Sequence, residues 1–350
     1  MNQTAIFLEA EGTSNKAGCL YLSECETVMK EVAIGIDLGG TNLKGVVMTR
    51  DGAGRHRTHA PSEADKGGKR ILQNVIDLAG QLMDKAGKNA RICGIGIGTP
   101  GFVGPDGTVL GGAENLPGWQ GTQILAPLRK RFGVRAAAAN DVTVAALAEA
   151  RFGAGRSVRN IVCLALGTGI GGGVVIDGQL YKGTHGMAGE IGHIVVETDG
   201  VQCNCGMKGC VEQYASGTGI ANLARRLCAG AIHETPLVKT VKKDPSAVNA
   251  KTVYQYVRKR DAVALEVHET ACEMLARACG AVANVLSPDR IVLGGGVMKE
   301  GRLISDEVAR RFPNHCWDAI ARHTAIVPAE LGENAGVLGA AALVFEEFAH

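Results

Sequence analysis

Two distant stretches of this chain read as the same structural device, and that repetition constrains the fold more than any other feature. Residues 32–37 (VAIGID) and 159–166 (RNIVCLAL) are short, apolar, β-rich runs. Each enters a turn built from Gly and Thr, GGT at 39–41 and GTGIGGG at 167–173. Each turn leads into a second apolar run, at 45–48 and at 174–176. A strand, a tight Gly-rich turn and a returning strand leave backbone N–H groups exposed at the turn, where they can cradle phosphate oxygens. Each unit also opens a long segment in which strands alternate with helices. Self-similarity at this level predicts two α/β domains of one plan facing each other, each presenting a hairpin to phosphate. The first turn is not a Walker A loop, because the Gly-Lys-Ser/Thr ending is missing.

At 350 residues the chain is long enough for two filled cores. Its 49 glycines and 4% aromatic residues suit an α/β protein with many tight turns. A net charge of +2 sets up no field that would recruit nucleic acid or a membrane surface. No apolar run approaches the roughly 20 residues of a membrane span. No basic segment followed by an apolar one marks a signal peptide at the start. Residues 1–30 show no clear period. Met29 stands just before the first strand, so residues 1–28 are either a poorly ordered extension behind a natural start at Met29 or an irregular N-terminal arm.

Apolar residues at helical spacing predict an amphipathic helix over 69–86. A strand follows at 92–97 and another at 134–138, the latter ending in Asn140-Asp141. Ligands in open α/β sheets collect at the carboxyl ends of strands. Asp141 is therefore a candidate catalytic carboxylate, with helix N-cap as its other reading. Asp177-Gly178 reads as a hairpin turn. Helices are expected over 216–229, 248–259 and 261–286, the last stopped by Pro288. A strand at 290–293, Gly294-Gly295-Gly296, a helix over 301–311, a strand at 324–327 and a closing helix over 335–348 complete the chain. The closing helix is expected to return to the first domain. The domains are placed at 31–142 with the C-terminal helix (about 330–350), and at 143–329, with residues 1–30 as the extension.

Residues 190–212 (EIGHIVVETDGVQCNCGMKGCVE) hold His193, Cys203, Cys205 and Cys210. One imidazole and three thiolates form a closed ligand set for tetrahedral zinc of the structural type, and a catalytic zinc would keep one position open. Gly206 and Gly209 supply the sharp turns that a chain wrapping a metal needs. The other cysteines, such as Cys93 and Cys163, sit in apolar strand-like runs and read as reduced core residues. That usage fits a cytoplasmic setting.

The pattern E-x-G-H followed by C-x-C-G-x-x-G-C-x-E resembles the zinc motif of the ROK family of repressors, open reading frames and kinases. The similarity extends over about residues 32–345. DxGGTxxK at 37–44 resembles the first phosphate loop of the actin-like, heat-shock-chaperone and sugar-kinase superfold. GTPG at 98–101 is similar to the family's sugar-site loop, ENLPGW at 114–119 to a segment near the sugar, and Asn140-Asp141 to its catalytic motif. The family usually has N-D-A-N, where this chain has N-D-V-T, with Thr143 in the last place.

The resemblance implies a two-domain α/β fold of ribonuclease H-like duplicated domains. It also implies an ATP-dependent kinase that phosphorylates the 6-hydroxyl of a hexose. Asp141 would be the base. Gly101, Asn115, Asn140, Asp141, Glu190, His193 and Glu212 would meet the sugar. Asp37, Gly39, Gly40, Thr41, Lys44, Gly167, Thr168, Gly169, Gly294, Gly295 and Gly296 would meet ATP, with Mg²⁺ on the phosphates and Asp37 near it. Lys44 has a solvated side chain as its other reading, and Trp119 has a hydrophobic plug. His193 would serve both zinc and sugar. The partners are then ATP and a small sugar, in a cytoplasmic homo-oligomer (dimer or tetramer) that binds neither nucleic acid nor membrane. Glucose is the favoured substrate and N-acetylmannosamine the second. A sugar-responsive repressor of the same fold would need a helix-turn-helix domain ahead of the first strand, and 30 residues are too few for one.

Overall fold

The structure is a computed structural model that describes residues 29–348. The expectation about residues 1–28 lies outside the described residues. Strands β1 (Lys30–Leu38), β2 (Asn42–Thr49) and β3 (Gly54–Pro61) form an antiparallel meander. Helix α1 (Gly68–Ala86) leads to β4 (Ala90–Thr99), which pairs with β1 in parallel. A small hairpin of β5 (Phe102–Val103) and β6 (Val109–Gly111) follows, then α2 (Leu125–Phe132). Strand β7 (Ala136–Asn140) closes the sheet in the order β3-β2-β1-β4-β7. Helix α3 (Asp141–Phe152) crosses to the second sheet, where β8 (Ile161–Leu166), β9 (Ile170–Ile176) and β10 (Gln179–Tyr181) repeat the meander. After the candidate metal loop come α4 (Glu212–Ala215), α5 (Gly217–Gly230), α6 (Pro236–Lys243), α7 (Ala250–Arg258) and α8 (Ala262–Leu286). Strand β11 (Arg290–Gly294), helices α9 (Arg302–Arg311) and α10 (Asp318–Ala321), strand β12 (Ala325–Pro328) and helix α11 (Ala335–Glu347) complete the chain. The second sheet runs β10-β9-β8-β11-β12, in the order and directions of the first. The expected duplication is therefore present strand for strand.

Alternation along the strands decides what covers each face of the first sheet. On β1, Val32, Ile34, Ile36 and Leu38 join the core under α1, together with Ile95 and Ile97 of β4. On β1 and β4 the opposite face carries Ala33, Gly35, Gly94 and Gly96, so this part of it has almost no side chains. Helix α11 lies directly on it. A Cβ on Gly35 would stand 2.6 Å from the Ala341 amide nitrogen, and one on Gly96 would overlap the Ala340 carbonyl oxygen. Gly339 of α11 leaves the same kind of room for the backbone of Val144 in α3. The closing helix thus packs on the first sheet by backbone approach, as a stripe of glycine and alanine allows.

Three local expectations need correction. The second Gly/Thr turn comprises only residues 167–169, because β9 starts at Ile170. Gly171 and Gly173 are strand residues. A Cβ there would come within 2.6 Å of Val142 and 2.5 Å of Ala146, so these glycines let α3 lie close on β9. The strand expected at 134–138 is Ala136–Asn140. Its end therefore carries Asn140, whose Oδ1 accepts from the amides of Val142 (2.9 Å) and Thr143 (3.2 Å), and Asn140 rather than Asp141 is the N-cap of α3. Trp119 is the plug: it is fully buried in the core under α1, and its Nε1 donates to Thr99 Oγ1 at 2.8 Å.

The sequence reading did not find β3, α2 or α6. Strand β3 (GRHRTHAP) is an exposed edge strand with no apolar alternation. In α2 only Leu125 and Leu128 are buried. Helix α6 has just eight residues, although Thr235 caps it and Pro236 opens it.

Glu149 also went unread. It is buried on α3, and its carboxylate accepts from the amides of Ala154 (2.9 Å), Glu330 (3.1 Å) and Leu331 (2.8 Å). One acidic group thereby ties the helix that leaves the first sheet to the segment that returns to it.

Candidate functional site

The carboxyl end of β7, the second Gly/Thr turn and the metal loop border one cavity of about 940 Å³ in the cleft between the two sheets. The first half of the chain contributes Gly101, Asn140 and Asp141, and the second contributes Gly167, Thr168, Gly169, Glu190, His193 and Glu212. Glu114 and Asn204 also line it and were not singled out from the sequence, and Cys205 lines it as well. Glu114 carries no motif weight beside Asn115, and Cys205 was read only as a metal ligand. Asn115 does not line the cavity. Its amide stands beside Gly40, 3.6 Å from where a Cβ there would be.

Asp141 is the first residue of α3, and its Oδ1 accepts from the Val142 amide at 2.9 Å. Burial raises its pKa above 3.8, against the pull of that amide and of Asn140. An unperturbed carboxylate would titrate at about 4, so the fold moves Asp141 upward from the ordinary range. Asp37, at the end of β1, lies near it. Burial, helped by the charge on Asp141 and opposed by Lys44, lifts Asp37 to about 6. Gly336 at the start of α11 faces the Asp37 carboxylate, where a Cβ would come within 2.7 Å. Glu190 is raised by burial, with Glu212 and Asp141 adding to the effect and His193 opposing it. The cavity therefore gathers more negative charge than it balances, as suits a site that receives hydroxyl hydrogens and a cation.

Glu212 Oε2 accepts from the Ile170 amide at 2.8 Å. A Cβ on Gly169 would collide with that carboxylate. The turn is thus shaped around Glu212, and its peptide groups hold α5 as well: the amides of Gly217 and Thr218 donate to the carbonyls of Gly167 (2.8 Å) and Thr168 (3.4 Å). Asn140 is engaged at both ends of its amide, donating to the Gly101 carbonyl at 3.3 Å while its oxygen caps α3.

Gly167 and Thr168 also border a second cavity of about 830 Å³. Gly296, Val297, Thr218, Asn249, Lys251 and Tyr254 line it, and all but Gly296 were unread. Arg225 holds one wall in place by donating to the carbonyls of Pro245 and Val248, both at 2.8 Å. Gly295 (φ 90°) borders the first cavity, and a Cβ there would come 2.6 Å from the Leu166 backbone. Gly294 is buried at the end of β11 and borders neither cavity. Gly39, Gly40, Thr41 and Lys44 border neither cavity. Ser62 braces their turn, bonding Gly40 and Thr41 carbonyls at 2.8 and 2.9 Å, and Lys44 donates to the Glu333 carbonyl at 3.3 Å.

The candidate metal ligands converge. The ligand atoms of His193, Cys203, Cys205 and Cys210 all lie within 4.8 Å of one another. His193 Nδ1 is 3.6 Å from Cys203 Sγ, and Cys205 Sγ is 3.6 Å from Cys210 Sγ. Zinc–sulfur bonds of about 2.3 Å place neighbouring thiolates of a tetrahedron about 3.8 Å apart, so the set fits the ion. The other nitrogen of His193, Nε2, lies 3.9 Å from Glu190 Oε2. One ring nitrogen thus faces the cysteines and the other faces the cavity.

The ROK family pattern matches residues 33–347. A glucokinase from Halalkalibacterium halodurans is 34% identical, over 90% of this chain and 95% of its own length. A glucokinase from Thermotoga maritima is 31% identical, over 89% and 97%. The crystal structure of a ROK family glucokinase from Streptomyces griseus, in complex with glucose and AMPPNP, superimposes with a TM-score of 0.72 at 28% identity, covering 89% of this chain and 98% of that one. The two like sheets, joined by α3 and α11, are the duplicated α/β plan of the actin-like sugar-kinase fold. The chain belongs to the ROK family.

Proposed function

We infer that this chain is an ATP-dependent glucokinase, moving the γ-phosphoryl group of ATP to the 6-hydroxyl of glucose. One observation carries the reading. Asp141, Glu190, His193 and Glu212 face a single cavity that joins a second, nucleotide-sized one at Gly167-Thr168. In this reading Glu190, the free oxygen of Glu212 and the Nε2 face of His193 read sugar hydroxyls. Asn140 and Gly101 frame the side nearest the base. Phosphoryl transfer passes through a loose transition state, so catalysis rests mainly on positioning and charge. Asp141 accepts the proton of the attacking hydroxyl. Its burial, which raises the pKa, makes the ionised form a stronger base. Thr168, Gly169 and Gly295 supply the phosphate side of the junction. The first hairpin, at Gly39, Gly40, Thr41 and Lys44, and Asn115 beside it, reach the ligands when the two halves close and exclude water.

Asp37 would hold Mg²⁺, which supplies charge neutralisation of the phosphates. His193, Cys203, Cys205 and Cys210 would hold zinc, which fixes the imidazole and the loop bearing Glu190 and Glu212. The division into 31–142 with the C-terminal helix and 143–329 belongs to the same proposal. None of the nine cysteines of the described residues is in a disulfide, which supports a cytoplasmic enzyme, and its product would feed glycolysis. No helix among the described residues is long and apolar enough to cross a membrane. Exposed Val285 and Trp317, brought together by the Asn284–Trp317 hydrogen bond (3.0 Å), support self-association. The direct test is NMR of the product formed from glucose and Mg-ATP. Phosphate on O6 is expected, and phosphate on any other oxygen would overturn the placement of Asp141.

A further inference from the structure

The four candidate metal ligands are not equally sheltered. Cys203 and Cys210 are buried, at 2% and 0% exposure, and His193 is half-buried, whereas Cys205 is exposed and forms part of the wall of the sugar cavity. Beside it, Gly206 faces open space. The Sγ of Cys205 lies 3.6 Å from that of Cys210. A small oxidant that enters the sugar cavity thus meets one thiolate of the set, with a second thiolate directly behind it.

We propose that Cys205 is an oxidation site, and that its conversion to a disulfide with Cys210 releases the metal and disables the sugar loop. The proposal rests on the zinc-and-sugar reading of this site. The oxidant is a hydroperoxide, with hydrogen peroxide as the simplest case. The Cys205 thiolate attacks one peroxide oxygen. An S–O bond forms, the O–O bond breaks and hydroxide leaves, which yields a sulfenic acid. The Cys210 thiolate then attacks that sulfur. An S–S bond forms, the S–O bond breaks and a second hydroxide leaves. The two thiolates together lose two electrons, and the peroxide takes both. Two of the four ligands are gone, and His193 and Cys203 alone do not retain the ion. The arm that carries Glu212 two residues beyond Cys210 loses its anchor. A sugar bound in the cavity covers Cys205, so substrate protects the site it depends on.

The experiment starts with full-length protein whose zinc content has been measured and whose glucose binding has been measured by calorimetry. Protein that carries no zinc, or that does not bind glucose, contradicts the functional reading on which the proposal rests. With both established, peroxide is added. Zinc release is followed with a chromogenic chelator, and the cysteines are mapped by peptide mass spectrometry. One zinc is expected to leave per Cys205–Cys210 disulfide formed. Glucose at about 100 times its Kd leaves about one site in a hundred open, so release should slow at least about tenfold. Dithiothreitol with added zinc should restore the reduced protein and its metal content. Cys93→Ser and Cys316→Ser, which change half-buried cysteines elsewhere, should leave the release rate unchanged. Zinc retained under peroxide, release that tracks oxidation of other cysteines, or a rate unaffected by glucose would each overturn the proposal.

Discussion

Asp37 and Asp141 are two carboxylates at the carboxyl ends of the parallel strands β1 and β7, which flank β4, and burial alters both in the same direction. Asp141→Asn keeps the shape and removes the base. Its kcat should fall at least about 100-fold, with glucose affinity little changed; steady-state kinetics together with a glucose titration checks both halves. The native rate should fall as pH drops through a pKa that lies above 3.8, because only the ionised form accepts the proton, and Asp141→Asn should lose that dependence. Asp37 gives a stability prediction of opposite sense to that of a salt-bridged acid. Its folded pKa of about 6 exceeds its ordinary 3.8, so the folded state binds the proton more tightly than the unfolded state. The contribution of Asp37 to stability is then most favourable below pH 3.8 and is lost as pH rises through 6. The difference corresponds to on the order of 3 kcal/mol. Asp37→Asn should therefore raise Tm at pH 8 and leave it nearly unchanged at pH 4, while activity falls. A Tm gain of equal size at both pH values would contradict this account of Asp37.

The elements differ in how legible they were. The hairpins, the metal loop and the end of β7 could be read because their chemistry demands particular residue types at particular spacings. The wall of the second cavity could not. Asn249, Lys251 and Tyr254 come from the cap and body of α7, whose pattern is that of any amphipathic helix, and only the fold brings them opposite Gly296. Strand β3 is held by backbone pairing to β2, which leaves no side-chain signature. Asn140 was read as a sugar-meeting residue beside the candidate base. Its cap and its bond to Gly101 became visible only once β7 was seen to end on it. The glycine stripe under α11 is the clearest case of sequence information that composition obscures. Gly35 and Gly96 lie inside apolar strands and drew no reading of their own, yet they set how closely α11 approaches. Gly96→Ala should force α11 off the sheet and cost at least about 1–3 kcal/mol, as overpacking does. Urea unfolding checks this. The control is Gly178→Ala, where a Cβ meets nothing within 4 Å but φ is 77°; it should cost only the left-handed strain of about 1–2 kcal/mol.

At the scale of the molecule, the duplicated sheets are joined by two crossings, α3 outward and the segment before α11 inward, and Glu149 ties them together. Asp141 starts one crossing, and Gly336, just inside the other, abuts Asp37. The spacing of the two acids thus depends on how the crossings lie against each other. The cavity between the halves brings Glu190, His193 and Glu212 together with Asp141; in the proposed reading they meet the sugar hydroxyls, and a site built on a 2-hydroxyl would reject analogues that lack it far more strongly than it rejects changes of size. That selectivity offers the most direct test. ADP release with Mg-ATP should be measured in a coupled assay for glucose, N-acetylmannosamine, N-acetylglucosamine, fructose and allose. The account predicts the highest kcat/KM for glucose. A higher value for N-acetylmannosamine would contradict the substrate assignment, and no turnover of any of the five sugars would contradict the kinase itself.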